Sequence, residues 1–295
     1  MSEVIRIQPS SRPIRLSSVR LLGLVSAVGF ALALAGCEAA GPMGASVGRG
    51  VAATATADEG TKDNLQSLSE YIRANPGDAQ GYNTRGAAYA KIGRYQDAIA
   101  DFGQAIRIDP GNAPALTNRG LAQRQAGNDQ AALADFTAAI QANPRHASAY
   151  VARANLLRSR NDLSGAMADL TEAIRIAPEN AESFHARGLI HQRQGDHARA
   201  ISDFDNAIDR NPFVAAPYEA RGQSLTIVGR YDAAIEDFNA ALNVNNRNGD
   251  AWAGLGVAYE RKGDRQKASE SYNRALVASP NNALAREGLS RVGRV

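Results

Sequence analysis

The sequence has one cysteine, Cys37, among 295 residues. A lone thiol forms no disulfide within its own chain, so disulfide stabilisation of the fold is excluded. No run of β-branched and aromatic residues has strand periodicity, which favours an all-α fold. An apolar run of 14 residues, Leu21 to Leu34, is too short to span a membrane, because about 20 residues are needed to cross about 30 Å of hydrocarbon.

The chain also lacks a strong charge of either sign. It has 33 basic and 30 acidic residues. Residues 1–36 hold four of the bases and one of the acids, so the remainder has 29 of each. The basic isoelectric point therefore comes from the N-terminal segment and gives no support for nucleic-acid binding.

Signals of catalysis are missing as well. Gly44–Gly48 spells G-x-S-x-G, but a nucleophile elbow requires a strand before it and a helix after it. His185, His191 and His197 are six residues apart, whereas zinc-binding histidines on a helix are spaced i, i+4. We find no phosphate loop and no nucleophile with a base, and expect no enzymatic activity, no cofactor and no metal.

What the sequence does contain is a strict 34-residue period. It is marked by Pro76, Pro110, Pro144, Pro178, Pro212, Asn246 and Pro280. A fixed period of this length indicates stacked copies of one supersecondary unit. Counted from the third residue after each proline, positions 20 and 27 are always alanine, and position 24 is large and apolar. Small residues let two antiparallel helices approach closely, and the large ones fill the space between them.

Helix ends are marked in the same register. The residues before each first helix are Asp78, Asn112, His146, Asn180, Val214, Asn248 and Asn282. Asp and Asn are good N-caps because their side chains accept from free backbone N–H groups. Between paired helices a glycine suits the tight turn, and Asn161 replaces it in the third repeat.

These residues resemble the tetratricopeptide repeat, a 34-residue helix–turn–helix. Repeat one has the family pattern as Tyr82, Gly86, Tyr89, Ala98, Phe102, Ala105 and Pro110. The last repeat has it as Trp252, Leu255, Gly256, Tyr259, Ala268, Tyr272, Ala275 and Pro280. The resemblance implies an α-solenoid, a right-handed superhelix whose concave groove is lined mainly by first helices.

The resulting organisation has six full repeats between terminal segments. The repeats are 79–112, 113–146, 147–180, 181–214, 215–248 and 249–282. The other segments are a signal peptide (1–36), a lipidated flexible tether (37–60), a degenerate leading half-repeat (61–78) and a C-terminal capping helix (283–295).

Two residue types occur together in repeats one to five and are absent together from repeat six. The arginines, at position 7, are Arg85, Arg119, Arg153, Arg187 and Arg221. The aspartates, sixteen residues later, are Asp101, Asp135, Asp169, Asp203 and Asp237. Repeat six has Leu255 and Ser271 instead. We predict structural ion pairs, either inside each repeat or across one repeat junction, in preference to a ligand site.

The N-terminus predicts export. Four arginines precede the apolar run, which ends in Leu34-Ala35-Gly36-Cys37, as in a secretory signal. The last four residues resemble the bacterial lipobox, which implies cleavage before Cys37 and lipidation of its thiol. The alternative is a chance run of small residues. The resemblance implies a periplasm-facing, lipid-anchored protein of the cell envelope, and Glu38 favours the outer over the inner membrane.

The family places positions 2, 5, 9, 12 and 13 of first helices on the concave side. The candidate groove residues are Asn83, Thr117, Asn118, Leu121, Arg124, Val151, Asn155, Arg158, His185, Leu189, Gln192 and Arg193. Asn and Arg side chains suit the backbone and an acidic residue of an extended peptide; alternatively, these are solvated faces. Of the family's C-terminal carboxylate clamp, only Asn118 matches an element.

Three functions remain open. The first is an adaptor that binds a protein or peptide partner, such as an envelope protease or a cell-wall hydrolase. The second is a structural subunit of an envelope assembly for secretion, pilus formation or outer-membrane insertion. The third, an enzyme, is disfavoured by the missing site. Homodimers through exposed terminal faces are a further option that the sequence leaves open.

Overall fold

The computed structural model describes residues 59–293, which form fourteen helices without a strand in that range. The predicted signal peptide, Cys37 and the tether up to residue 58 lie outside the described residues. The helices are α1 (Glu59–Ala74), α2 (Ala79–Lys91), α3 (Tyr95–Ile108), α4 (Ala113–Gln125), α5 (Asp129–Ala142), α6 (Ala147–Ser159), α7 (Leu163–Ile176), α8 (Ala181–Arg193), α9 (His197–Arg210), α10 (Ala215–Ile227), α11 (Tyr231–Val244), α12 (Gly249–Lys262), α13 (Arg265–Ala278) and α14 (Ala283–Val292). The all-α prediction is confirmed.

Helix starts follow the capping residues. At the first helices of the repeats and at α14, the side chains that accept from backbone N–H groups of the first turn are those of Asp78, Asn112, Asn180, Asn248 and Asn282. His146 and Val214 precede α6 and α10 without a side-chain cap. The leading helix differs slightly from its prediction, because α1 begins at Glu59 rather than at residue 61.

The turn inside each repeat depends on a left-handed residue. Five turns use a glycine with positive φ, and the third uses Asn161 at φ 66°. A side chain with a Cβ is strained in this conformation, and asparagine tolerates it best. The predicted replacement of glycine by Asn161 is therefore confirmed.

Close contact between the two helices of a repeat explains the residue types at positions 8 and 24. A Cβ on Gly120 would lie 2.5 Å from Cε1 of the fully buried Phe136, so no side chain fits there. In repeat three Ala154 stands at the equivalent position, and the facing residue is Leu170. The smaller leucine leaves room for one methyl group, which is how a densely packed core accommodates both pairs.

Contacts between helices define two layers. Each first helix, from α2 to α12, contacts the helix two places further along, up to α14. Within residues 59–293, no second helix contacts the next second helix. The first helices are thus closer together and form the inner, concave layer. At the C-terminal end α14 packs on α12 and α13 and covers Tyr272, which is fully buried.

Candidate functional site in the concave groove

Five arginine–aspartate pairs connect the two helices of repeats one to five. In each, Nε and Nη2 of the arginine donate to the two carboxylate oxygens over 2.6–2.8 Å. The pairs are Arg85–Asp101, Arg119–Asp135, Arg153–Asp169, Arg187–Asp203 and Arg221–Asp237. All ten side chains pair inside their own repeat. Hydrogen bonding to the aspartate raises the pKa of each arginine.

Three of these arginines also reach the preceding repeat. Their Nη1 atoms donate to the side chain that lies sixteen residues earlier. The contacts are Arg85 to Ser69 Oγ at 3.1 Å, Arg153 to Thr137 Oγ1 at 3.3 Å and Arg221 to Asp205 Oδ1 at 2.6 Å. These partners were not predicted from the sequence. The signal was a polar residue sixteen positions before the arginine.

Position 5 of the first helix is more buried than predicted. Asn83, Thr117 and Val151 were predicted to line the groove, but all three are buried. Val151 packs in the apolar cluster that contains Leu170 and Ile190. The reason is the contact between successive first helices, which encloses this position. Val151, predicted as a groove residue, is therefore part of the core.

Several other predicted groove residues connect neighbouring repeats. Asn118 donates to Asn83 Oδ1 at 3.0 Å, and Gln192 Nε2 donates to the Ala220 carbonyl and to Ser224 Oγ, both at 3.1 Å. These amides have partners within the chain and contribute to the stacking of repeats.

The two predicted groove leucines are partly buried. Leu121 packs against the apolar cluster that contains Phe136. Leu189 packs against the cluster that contains Phe204. Each leucine therefore covers the core from the groove side and leaves a small apolar surface beside the polar residues.

His185 lies deep in the groove wall. Its ring is 5.8 Å from that of Phe204 at a tilt of 48°. Burial, and then the positive charge of Arg158, lower the pKa of His185 to about 4. The imidazole is consequently neutral at physiological pH.

Three groove arginines lie on successive first helices. Arg124 is on α4, Arg158 on α6 and Arg193 on α8. In the described part of the chain, none of their side chains makes a hydrogen bond or ion pair, and Nε of Arg158 is buried without a partner. Burial, followed by the charges of Arg193 and Arg124, lowers the pKa of Arg158. These arginines form a basic cluster, here called the groove arginine cluster.

One acidic side chain beside this cluster was missed in the sequence. Asn155 donates to Glu182 Oε1 at 3.4 Å. Burial raises the pKa of Glu182, while Asn155 and Arg124 act in the opposite direction. Glu182 occupies position 2 of its repeat, so the family pattern contained the signal that could have found it.

The far end of the groove has the opposite charge. Glu219 and Asp250 lie on α10 and α12, and Asn248 donates to Glu219 Oε2 at 2.7 Å. Burial raises the pKa of Glu219, and the nearby Asp250 raises it further. The groove is thus basic at repeats two to four and acidic at repeats five and six.

The three histidines that are spaced six residues apart, His185, His191 and His197, do not form a metal site. His191 Nε2 lies 3.8 Å from Asp203 Oδ2, and His197 Nδ1 lies 3.4 Å from Ser224 Oγ. Across residues 59–293 no three His, Cys, Asp or Glu residues are grouped as metal ligands. None of the helices in this range has the length and apolar character needed to cross a membrane.

Comparison with solved structures finds the same fold. The Cut9–Hcn1 hetero-tetramer of the APC/C has a TM-score of 0.70 at 20% identity over 78% of this chain, which spans only 46% of that chain. PilF of Pseudomonas aeruginosa has a TM-score of 0.66 at 18% identity, covering 72% of this chain and 97% of PilF. YrrB, described as a TPR protein with an unusual peptide-binding site, has a TM-score of 0.54 at 23% identity, covering 64% and 97%. A search of curated proteins found no match.

Family models give the same result from the sequence. Models described as tetratricopeptide or TPR repeat match residues 79–112, 113–146, 154–195, 185–242 and 219–283. Such repeats typically form non-enzymatic scaffolds for protein–protein interaction. With these matches and the paired helices of the structure, the chain belongs to the tetratricopeptide-repeat proteins.

Proposed function

We propose that this protein is a lipid-anchored, non-enzymatic scaffold of the bacterial cell envelope that binds an extended segment of a partner protein in its concave groove. The observation that carries the proposal is the groove arginine cluster. Unpaired buried polar groups are rare in folded proteins and need a partner. Nε of Arg158 is buried without a partner, and the rest of this half-buried guanidinium group also has none among the described residues, so a ligand on the concave face can supply an acceptor to its exposed part.

The form of the groove supports an extended ligand. Successive first helices present Arg124, Arg158 and Arg193 one repeat after another. A chain running along these helices would meet the arginines in sequence. The peptide-binding site named for YrrB is an example of such binding on this fold.

Support for the anchor comes from the sequence pattern alone. A basic segment, an apolar run and Leu34-Ala35-Gly36-Cys37 occur in the order of a lipoprotein signal. The following Gly-, Ala-, Ser- and Thr-rich residues have the composition of a flexible tether, for which an r.m.s. reach of about 25–29 Å is expected. Anchoring raises the local concentration of whatever the groove binds. An envelope protease or a cell-wall hydrolase as partner is an inference from this architecture.

Site-specific photocrosslinking of the full chain in cells tests groove binding. A crosslinker at Gln125, an exposed residue at the groove edge, is compared with one at Ala168, exposed on the outer helix α7. We expect a discrete partner from Gln125 and none from Ala168. A soluble hydrolase or protease supports the adaptor, and a stable stoichiometric membrane complex supports the assembly subunit. Equal products from both positions, or none, would contradict groove binding.

Palmitate labelling tests the anchor separately. The full chain should incorporate labelled palmitate, and Cys37→Ser should abolish the incorporation. Labelling that persists in Cys37→Ser would contradict the lipoprotein assignment and leave the groove proposal intact.

A further inference from the structure

The groove arginine cluster has too few negative charges around it. The acid beside the three arginines is Glu182, whose charge interacts with that of Arg124, and burial raises the pKa of its carboxyl group. Neither Glu182 nor any other described acid lies within ion-pair distance of Arg124, Arg158 or Arg193. Concentrated positive charge without a counterion is unfavourable in a partly desolvated site.

The same chain shows how its arginines are satisfied elsewhere. Each position 7 arginine binds a carboxylate through two parallel hydrogen bonds of 2.6–2.8 Å. The planar guanidinium matches a carboxylate in this way. A side-chain carboxylate from another molecule could accept hydrogen bonds from Arg158 and its neighbours in the same geometry.

The other end of the groove limits what the ligand can be. Glu219 and Asp250 make repeats five and six acidic. A uniformly anionic polymer that follows the groove would be repelled there, since like charges facing each other oppose binding. A segment with a short acidic stretch followed by neutral or basic residues would avoid charge repulsion at both ends of the groove.

We infer that the groove arginine cluster binds the side-chain carboxylates of a short Asp- or Glu-rich stretch in an extended partner segment, with neutral or basic residues lying over repeats five and six. This inference rests on the proposed groove function and specifies its ligand. It also places the acidic part of the bound segment at repeats two to four.

Fluorescence anisotropy with the full chain in detergent tests the inference. The probe is a labelled decapeptide with four glutamates followed by neutral residues and two lysines, with both termini blocked. Comparison probes are a neutral decapeptide with a free C-terminal carboxylate and a ten-residue oligothymidylate. The variants are Arg158→Gln, Arg193→Gln and, as the matched control for charge loss, Arg145→Gln in an exposed loop.

We expect the blocked acidic peptide to bind most tightly. Removing one arginine of the cluster should weaken it about tenfold or more, and Arg145→Gln should change it less than twofold. Arg193 is exposed, so its variant also tests the site where a folding defect is not expected. Added salt should weaken the binding, because the charges are partly exposed.

Several results would overturn the inference. These are no binding of the acidic peptide, equal losses in Arg158→Gln and Arg145→Gln, or binding of the neutral free-carboxylate peptide or the oligothymidylate as tight as that of the acidic peptide. A separate experiment distinguishes a wrong ligand assignment from a wrong scaffold function. If the Gln125 crosslink persists after all three arginines of the cluster become glutamine, groove binding stands and the ligand assignment is wrong.

Discussion

Arginine occurs in two environments on the same first helices. Arg119 and Arg124 both lie on α4, and Arg153 and Arg158 both lie on α6. In each helix the first arginine has a carboxylate partner and the second has none among the described residues. Five residues correspond to a rotation of about 140° around a helix. The face of the helix, rather than the residue type, therefore decides whether an arginine stabilises the repeat or stays available to a ligand.

The energetic consequences differ accordingly. The paired aspartates are only 6–9% exposed, so each ion pair is largely removed from water. Breaking such a pair leaves one buried charge without compensation. Removing a groove arginine leaves no partner behind. Mutations in the arginine–aspartate pairs should therefore lower stability, whereas mutations in the groove arginine cluster should weaken ligand binding.

The largest effect is expected from breaking a complete pair. Asp169→Asn should lower the free energy of unfolding by about 3 kcal/mol, because Arg153 loses its only carboxylate in a nearly buried site. Urea unfolding followed by circular dichroism measures the change. In the double variant with Arg153→Met, the total loss should be smaller than the sum of the two single losses. Additive losses would contradict the pairing.

A smaller effect is expected on the pH dependence of the free energy of unfolding, through His185 in the groove wall. The pKa of His185 is about 4 in the folded chain and about 6.5 in an unfolded chain. Its neutral form therefore adds stability that is fully present above pH 6.5 and is lost as the pH falls to about 4. His185→Gln should reduce the loss of stability between pH 6.5 and 4 by about 1–3 kcal/mol. Parallel stability curves for the two proteins would contradict this.

A second carboxylate should reduce the cost of breaking a pair. Arg221 also donates to Asp205 in the preceding repeat, at 2.6 Å. Asp237→Asn therefore leaves the guanidinium with one negative partner, and should cost about 1–2 kcal/mol, less than Asp169→Asn. The same urea experiment compares the two variants. An equal or larger loss in Asp237→Asn would show that the contact with Asp205 contributes nothing.

The smallest effect on stability is expected in the groove. Arg158→Gln removes a partly buried charge that has no hydrogen-bond partner and is repelled by Arg124 and Arg193. The free energy of unfolding should stay within about 0.5 kcal/mol of the original value or rise. A loss as large as that of Asp169→Asn would mean that Arg158 has a structural role, and would remove the contrast between the two sets.

The sequence predicted the features that repeat with the period. Helix starts were predictable because Asp78, Asn112 and their equivalents cap helices by local hydrogen bonds. The turn at Asn161 was predictable because few residues tolerate a left-handed conformation. The arginines and aspartates could be matched because both are missing from repeat six.

The groove was less predictable, because its surface depends on how repeats stack. Val151 and Thr117 occupy positions that the family pattern assigns to the groove, but contacts between successive first helices bury them. Glu182 lies at position 2, which the family pattern assigns to the groove, but its burial beside Asn155 and Arg124 depends on the stacking of the repeats. Likewise, only the three-dimensional structure shows that Arg124 has no side-chain partner among the described residues.

The most direct test measures unfolding and peptide binding on the same protein samples. The triple variant Arg124→Gln, Arg158→Gln and Arg193→Gln is compared with Asp169→Asn and the unmodified chain. We expect the triple variant to unfold like the unmodified chain but no longer to bind the acidic decapeptide. Asp169→Asn should unfold more easily yet bind the peptide while it is folded. A triple variant that is destabilised as strongly as Asp169→Asn, or that still binds the peptide, would contradict the division between structural and ligand-binding arginines.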